Sequence, residues 1–175
     1  MRARKTVFIA AVTSALVLLP AASAMAGSGP APAPSKQRAA ASTAPSAAGN
    51  PRSTAAQAAD VCADAYQIGS TAYIDRGGLH VASVKQFYSP ECNENYGYLW
   101  VWDSYRDNTS AYDITIGVYS YAQDAVVGKR SWSATHLQEF WSNPAGTVNE
   151  CTAAVGSLRA AGDPAPGTAW SSKRC

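Results

Sequence analysis

The chain has 175 residues and a formal net charge of +2 at pH 7, but its charges are unevenly distributed. All 12 acidic residues lie at or after position 60, whereas six of the 14 Lys and Arg residues precede it, so residues 60–175 carry (14 − 6) − 12 = −4. Binding to nucleic acid needs a basic face for the phosphates, so this composition argues against a nucleic-acid partner.

The first 26 residues are typical of a secretory signal peptide. Basic residues at the start are followed by an apolar run over about residues 7–20 and by Ala-Met-Ala at positions 24–26. The apolar run is shorter than the roughly 20 residues that a transmembrane helix needs. We therefore predict cleavage after Ala26, secretion to the extracellular space, and no membrane span in the mature chain.

Residues 27–59 consist almost entirely of Ala, Pro, Ser, Gly and Thr, and contain no aromatic residue and no Leu, Ile, Val or Met. Such a segment buries too little apolar surface to offset the entropy of ordering it. It is predicted to be a disordered linker, with a pro-segment that is removed after export as the alternative. Both interpretations leave residues 60–175 as one folded domain.

Four cysteines fall in this domain, at Cys62, Cys92, Cys151 and Cys175. An even number of cysteines in an exported chain predicts two disulfides, and three pairings are possible. The pairing Cys62–Cys92 with Cys151–Cys175 is favoured because each bond closes a moderate loop and the second holds the chain terminus. With both bonds formed, no thiol is left for catalysis or for a metal.

The first part of the domain reads as a β-hairpin. Residues 66–74 and 79–88 are two strand-like segments, and Asp-Arg-Gly-Gly between them is a turn sequence. The alternation slips between Val81 and Val84, which predicts a β-bulge or a bend in the strand. Pro90 lacks a backbone donor and ends the second strand.

Two further strand-like segments alternate between an aliphatic and an aromatic face. The link between them, residues 104–112, is rich in Asp, Asn and Ser, as a loop or a wide hairpin turn would be. If the two strands pair antiparallel, their rings line up on one side of the sheet. The rings are those of Tyr96, Tyr98, Trp100 and Trp102 in the first segment and Tyr119 and Tyr121 in the second.

The C-terminal part predicts one short helix. Residues 133–143 fit either a helix or a strand and turn, whereas residues 149–162 have a possible N-cap at Asn149, an apolar stripe, and a stop at Gly162. The predicted fold is mainly β, a small antiparallel barrel or sandwich with one short C-terminal helix and two disulfides.

The segment VKQFYSPECNENYGYLWVW, residues 84–102, resembles an uncharacterised family of small secreted actinobacterial domains. The family has a Tyr-Ser-Pro-x-Cys centre before a Trp-bearing strand, and later a Trp-Ser turn before another cysteine. Its Trp-Ala-Arg pattern and its additional N-terminal cysteines are missing here. The resemblance implies secretion, disulfides and a β-rich fold, but no activity. The matching positions are Tyr88, Ser89, Pro90, Cys92, Trp100, Trp141, Ser142 and Cys151.

Candidate catalytic groups are few and unpatterned. The chain has two histidines, His80 and His136, and no recognisable nucleophile, metal-protease, phosphate-loop or dinucleotide motif. Glu91 and Glu94 could serve as a carboxylate pair, but their position in one turn favours solvated side chains. Asp103, Asp107 and Asn108 could offer oxygen ligands to calcium, but their segment lacks the regular alternation and the glycine of a calcium loop. We predict no catalytic residue, no metal site and no cofactor.

The aromatic face is the feature that points most directly to a function. Tyr and Trp present flat amphipathic surfaces that suit sugar rings or a protein partner, although burial favours a core role for Trp100 and Trp102. We predict a secreted, monomeric, non-catalytic domain that binds an extracellular partner or cell-wall glycan. The alternatives are a small hydrolase that uses a histidine with an acidic residue, and a protease inhibitor that uses residues 89–97. The predicted binding residues are Tyr96, Tyr98, Tyr119 and Tyr121.

Overall fold

A computed structural model describes residues 42–175; the predicted signal peptide and residues 27–41 of the predicted linker lie outside the described residues. The described chain contains eight strands and two single-turn helices. In chain order these are α1 (Thr54–Gln57), β1 (Tyr66–Arg76), β2 (Leu79–Ser89), β3 (Glu94–Val101), α2 (Asp103–Arg106), β4 (Tyr112–Ser120), β5 (Ala125–Thr135), β6 (Glu139–Trp141), β7 (Thr152–Ala160) and β8 (Gly167–Trp170).

The strands form two four-stranded antiparallel sheets. Sheet A has the order β1-β2-β3-β6 and sheet B the order β5-β4-β7-β8. The sheets pack face to face around an aliphatic core, so the mainly β prediction is confirmed, with two stacked sheets in residues 42–175 and no closed barrel. The buried core includes Ile74, Val84, Leu99, Val101, Ile114, Ile116, Phe140 and Leu158.

The two sheets approach each other closely where glycines face the core. A Cβ atom on Gly156 would lie 2.8 Å from Val84 Cγ2 and 2.9 Å from Leu99 Cδ1. A Cβ atom on Gly97 would lie 2.6 Å from the carbonyl oxygen of Gly117 on the opposite sheet. These strands therefore need glycine, because a side chain would push the sheets apart.

The first hairpin agrees with the sequence prediction. In the β1–β2 pair Ile74 faces Ala82 and Asp75 faces His80, which leaves Val81 as an extra residue in β2. The predicted bulge is thus present, and Val81 is buried in the core. The strand ends at Ser89, immediately before Pro90.

The condition under which the two sets of rings would line up is not met, because β3 and β4 do not pair with each other. β3 pairs with β2 and β6, whereas β4 pairs with β5 and β7 in the other sheet. Residues 102–111, which include α2, carry the chain from one sheet to the other. The two sets of aromatic rings therefore lie on different sheets and form no common face.

The predicted C-terminal helix is also wrong. Residues 152–160 form β7, which lies between β4 and β8 in sheet B. Ala153, Ala154 and Gly156 are buried there, because a central strand of closely packed sheets needs small side chains. For residues 133–143 the strand-and-turn alternative is closer, since β6 spans Glu139–Trp141.

The predicted disordered linker extends too far along the chain. Residues 42–61, here called the N-terminal segment, are ordered and cover the outer face of sheet A. In this segment Ser53 caps α1 by accepting a hydrogen bond from the Ala56 nitrogen at 3.0 Å, and Ser53, Ala56 and Ala59 are buried. The described folded unit therefore includes residues before the predicted boundary at residue 60.

Two disulfides brace the fold, with the pairing that the loop lengths favoured. Cys62–Cys92 joins the end of the N-terminal segment to the β2–β3 turn, and Cys151–Cys175 joins the residue before β7 to the last residue of the sequence. None of the helices in residues 42–175 is long and apolar enough to span a membrane.

Candidate functional site

The tyrosines predicted as binding residues lie in two separate places. Tyr96 and Tyr98 on β3 are 1% and 0% exposed, so the prediction that they form an exposed contact surface is wrong. Tyr119 is half-buried and Tyr121 is exposed, and both lie at the end of β4 on sheet B. Only the second pair is open to a partner.

The buried rings form an aromatic layer between sheet A and the N-terminal segment. The ring centroids of Trp141 lie 4.8 Å from Phe87 and 4.6 Å from Tyr98. The Tyr98 hydroxyl donates to the carbonyl oxygen of Ser46 at 2.6 Å, and burial raises the pKa of this hydroxyl well above its usual range. Trp100 is buried and Trp102 is partly buried against this layer, in agreement with the predicted core role.

Two charged side chains are buried beside these rings. Lys85 donates from Nζ to the carbonyl oxygen of Ala47 at 2.7 Å, and burial lowers the pKa of its ammonium group. Glu139 accepts a hydrogen bond from Trp141 Nε1 at 3.2 Å and another from Ser53, while burial raises the pKa of its carboxyl group. Both charges are thus held where water is largely excluded, which opposes folding.

Replacing Glu139 by glutamine is expected to increase stability at neutral pH. Burial raises the folded pKa of Glu139 above 4.5. The contribution of this carboxyl group to stability is therefore fully present below about that pH and is lost as pH rises through the folded pKa. The variant removes this loss and keeps a hydrogen-bond acceptor, so its melting temperature should exceed that of the unmodified protein at pH 7 but not at pH 4. Thermal unfolding at several pH values checks this. Parallel pH profiles for the two proteins would contradict it.

The exposed aromatic patch consists of Tyr119, Tyr121 and Trp170. The Tyr119 ring lies edge to face with both neighbours, at centroid distances of 5.1 Å from Tyr121 and 4.9 Å from Trp170. Tyr121 is 43% and Trp170 is 46% exposed. Lys173 places its Nζ 4.2 Å from the centroid of the Tyr121 ring, a cation–π contact that adds a positive charge at the edge of the patch.

A row of hydroxyl side chains crosses sheet B beside this patch. Thr115 and Ser157 share a hydrogen bond of 2.5 Å between their side-chain oxygens, on the face of β4 that also carries Tyr119. The register places one hydroxyl residue on each strand of the sheet. The outer face of sheet B therefore combines flat apolar rings with a line of donors and acceptors. The hydroxyl row is Ser131, Thr115, Ser157 and Thr168.

Sequence reasoning missed part of this surface. Trp170 was not among the predicted binding residues, and residues 125–135 were not recognised as the strand β5. The alternation of Thr115 and Tyr119 in β4 was visible in the sequence. Their neighbours on β5, β7 and β8 depend on strand register, which the sequence does not specify.

The histidines form no nucleophilic constellation. His80 Nδ1 lies 2.5 Å from Asp75 Oδ1, and its ring stacks on Tyr73, but both members of the ion pair are more than half exposed. No hydroxyl of residues 42–175 hydrogen-bonds to the His80 ring. His136 Nε2 contacts the carbonyl oxygen of Arg106 at 3.0 Å. In residues 42–175 neither histidine is therefore hydrogen-bonded to a side chain that could act as a nucleophile.

The turn around Cys92 is short and is held by hydrogen bonds to Asp64. Asp64 accepts from the Ser89 hydroxyl at 2.6 Å and from the Glu91 backbone nitrogen at 2.9 Å. Glu91 is exposed, whereas Glu94 is half-buried with a carboxyl pKa raised by burial. In the described part of the chain no group of three or more His, Cys, Asp or Glu side chains is arranged to hold a metal ion.

The described fold is thus a disulfide-braced pair of antiparallel sheets with one buried and one exposed aromatic cluster. Comparison of the chain with protein-family models, curated proteins and solved structures found no match.

Proposed function

We propose that the protein is a secreted, non-catalytic domain that binds cell-wall glycan through the outer face of sheet B. The observation that carries this proposal is the exposed aromatic patch, Tyr119, Tyr121 and Trp170, beside the hydroxyl row on the same face. The two disulfides fit an oxidising extracellular compartment.

Sugars suit this surface because they present apolar C–H faces together with a rim of hydroxyl groups. Exposed Trp and Tyr rings bury the C–H face at low cost in conformational entropy. The strands that carry the row lie roughly 4.8 Å apart, and its side-chain hydroxyls can exchange hydrogen bonds with sugar hydroxyls. Lys173 adds attraction for acidic groups on such a polymer.

Replacing Trp170 by alanine is expected to weaken binding to purified cell-wall glycan at least tenfold, because the exposed indole supplies much of the apolar contact area. Co-sedimentation of the oxidised protein with insoluble cell-wall material, followed by titration with soluble glycan fragments, measures the change. The matched control is Leu79→Ala, which removes an exposed apolar side chain from the hairpin of sheet A. Both variants should melt close to the unmodified protein.

Two results would contradict this function. The first is equal binding by the Trp170→Ala and unmodified proteins, which would place the ligand elsewhere. The second is no binding of the unmodified protein to any cell-wall fraction. Capture of an exported protein, sensitive to Trp170→Ala, would instead identify the patch as a site for a protein partner.

A further inference from the structure

The N-terminal segment lies on sheet A as a bound peptide lies in a groove. The aromatic groove is the outer face of sheet A formed by Lys85, Phe87, Tyr98, Trp100 and Trp141. Two polar side chains of the groove donate to backbone carbonyl oxygens of the segment. The Tyr98 hydroxyl donates to Ser46 at 2.6 Å, and Lys85 Nζ donates to Ala47 at 2.7 Å. These two hydrogen bonds recognise the peptide backbone, and a third contact, from Ser53 to the buried Glu139, recognises a side chain of the segment.

The groove selects small residues in the segment. Gly49 has φ +90°, and a Cβ atom there would lie 2.3 Å from Phe87 Cζ, so the chain passes directly over the ring. Farther along, the residues of the segment that are buried before residue 60 are Ser53, Ala56 and Ala59. The surface below is wide and aromatic, and the chain above is narrow and almost without large side chains.

The segment packs on sheet A through side chains and makes no strand pairing with it. None of the described residues before β1 pairs with a strand of sheet A, so the segment adds no ladder of main-chain hydrogen bonds to the sheet. Several of its backbone hydrogen bonds stay inside the segment, such as Gly49 to Ser46 at 2.8 Å and Thr54 to Thr43 at 3.3 Å. Its end is covalently held by Cys62–Cys92. It can therefore open locally without loss of the two sheets.

We propose that the aromatic groove is a peptide-binding site that residues 42–59 occupy in cis, and that it takes a peptide rich in Ala, Pro, Ser and Gly in trans when the segment releases. The site lies on sheet A and does not depend on the glycan surface of sheet B. Release hydrates the buried Lys85 and Glu139, which offsets part of the apolar contact that is lost.

The first test is hydrogen–deuterium exchange on the unmodified, oxidised chain. Amides of the N-terminal segment, including Gln57 and Val61, should exchange at least tenfold faster than those of β2 and β3, because the segment opens by itself. Exchange of all these amides in a single cooperative step would overturn the proposal, since the segment would then be an inseparable part of the core.

The second test uses a peptide of residues 42–59 labelled with a fluorophore. The Gly49→Val chain should have a displaced segment and bind this peptide. The unmodified chain should bind it at least tenfold more weakly, because its own segment competes at an effective concentration of about millimolar. The control peptide carries Gly49→Val and should not bind.

A folded Gly49→Val chain that fails to bind the peptide, or that binds both peptides equally, would overturn the proposal. Should the variant not fold, the exchange measurement on the unmodified chain decides by itself.

Discussion

Replacement of Trp141 by alanine is expected to lower the free energy of unfolding by about 3–5 kcal/mol. Trp141 on β6 is 1% exposed and packs against both Phe87 and Tyr98, so its removal leaves a cavity in the aromatic layer. The change also removes the indole donor to the buried carboxylate of Glu139. Urea denaturation of the oxidised protein, followed by tyrosine fluorescence and circular dichroism, measures the loss.

The control for this experiment is Trp170→Ala. Trp170 is 46% exposed at the end of β8, so the same substitution should cost no more than about 1 kcal/mol there. Similar losses for the two variants would contradict the division of the aromatic residues into a buried layer and an exposed patch. The pair of variants thus separates a ring that holds the fold from a ring that is available for binding.

The sequence predicted which side chains share a face of β3 and of β4. In β3, Tyr98 and Trp100 point to the aromatic layer while Leu99 and Val101 enter the aliphatic core, as the alternation indicated. Alternation has a period of two and is set by the strand itself. The alternation of one strand contains no information about which strand lies next to it. It therefore neither favours nor excludes a pairing of β3 with β4.

Composition was misleading at both ends of the domain. The N-terminal segment has no large apolar side chain before Val61, yet Ala56 and Ala59 are buried because the surface beneath them supplies the rings. In β7 the run of alanines resembles a helix, but Gly156 is required by the close approach of the two sheets. In both places long-range packing overrides local preference.

The candidate site was predicted only in part. Tyr119 and Tyr121 were named from the phase of β4, whereas Trp170 joins them through the β4–β7–β8 register. Tyr98 is buried because the N-terminal segment covers it, and the composition of that segment had predicted a disordered linker. Exposure of an aromatic face depends on everything that packs against it, and a single strand does not reveal this.

Replacement of both Cys62 and Cys92 by serine is expected to lower the free energy of unfolding by about 3–4 kcal/mol, since the bond closes a loop with a sequence separation of 30. The matched control replaces Cys151 and Cys175, whose separation is 24, and should lose a similar amount by the same loop-entropy argument. Chemical denaturation of the two double variants and of the oxidised protein measures both losses.

The two double variants should differ in where the fold opens. Loss of Cys62–Cys92 frees the C-terminal end of the N-terminal segment, whereas loss of Cys151–Cys175 frees the chain end at β7. Trypsin reports on the difference at Arg52, because Arg52 is exposed but the next residue, Ser53, is buried and must leave the groove before cleavage. Cleavage after Arg52 should be at least tenfold faster in the first variant than in the second. Equal rates would mean that the groove contacts alone hold the segment, and that the disulfide stabilises the fold without controlling access to the aromatic layer.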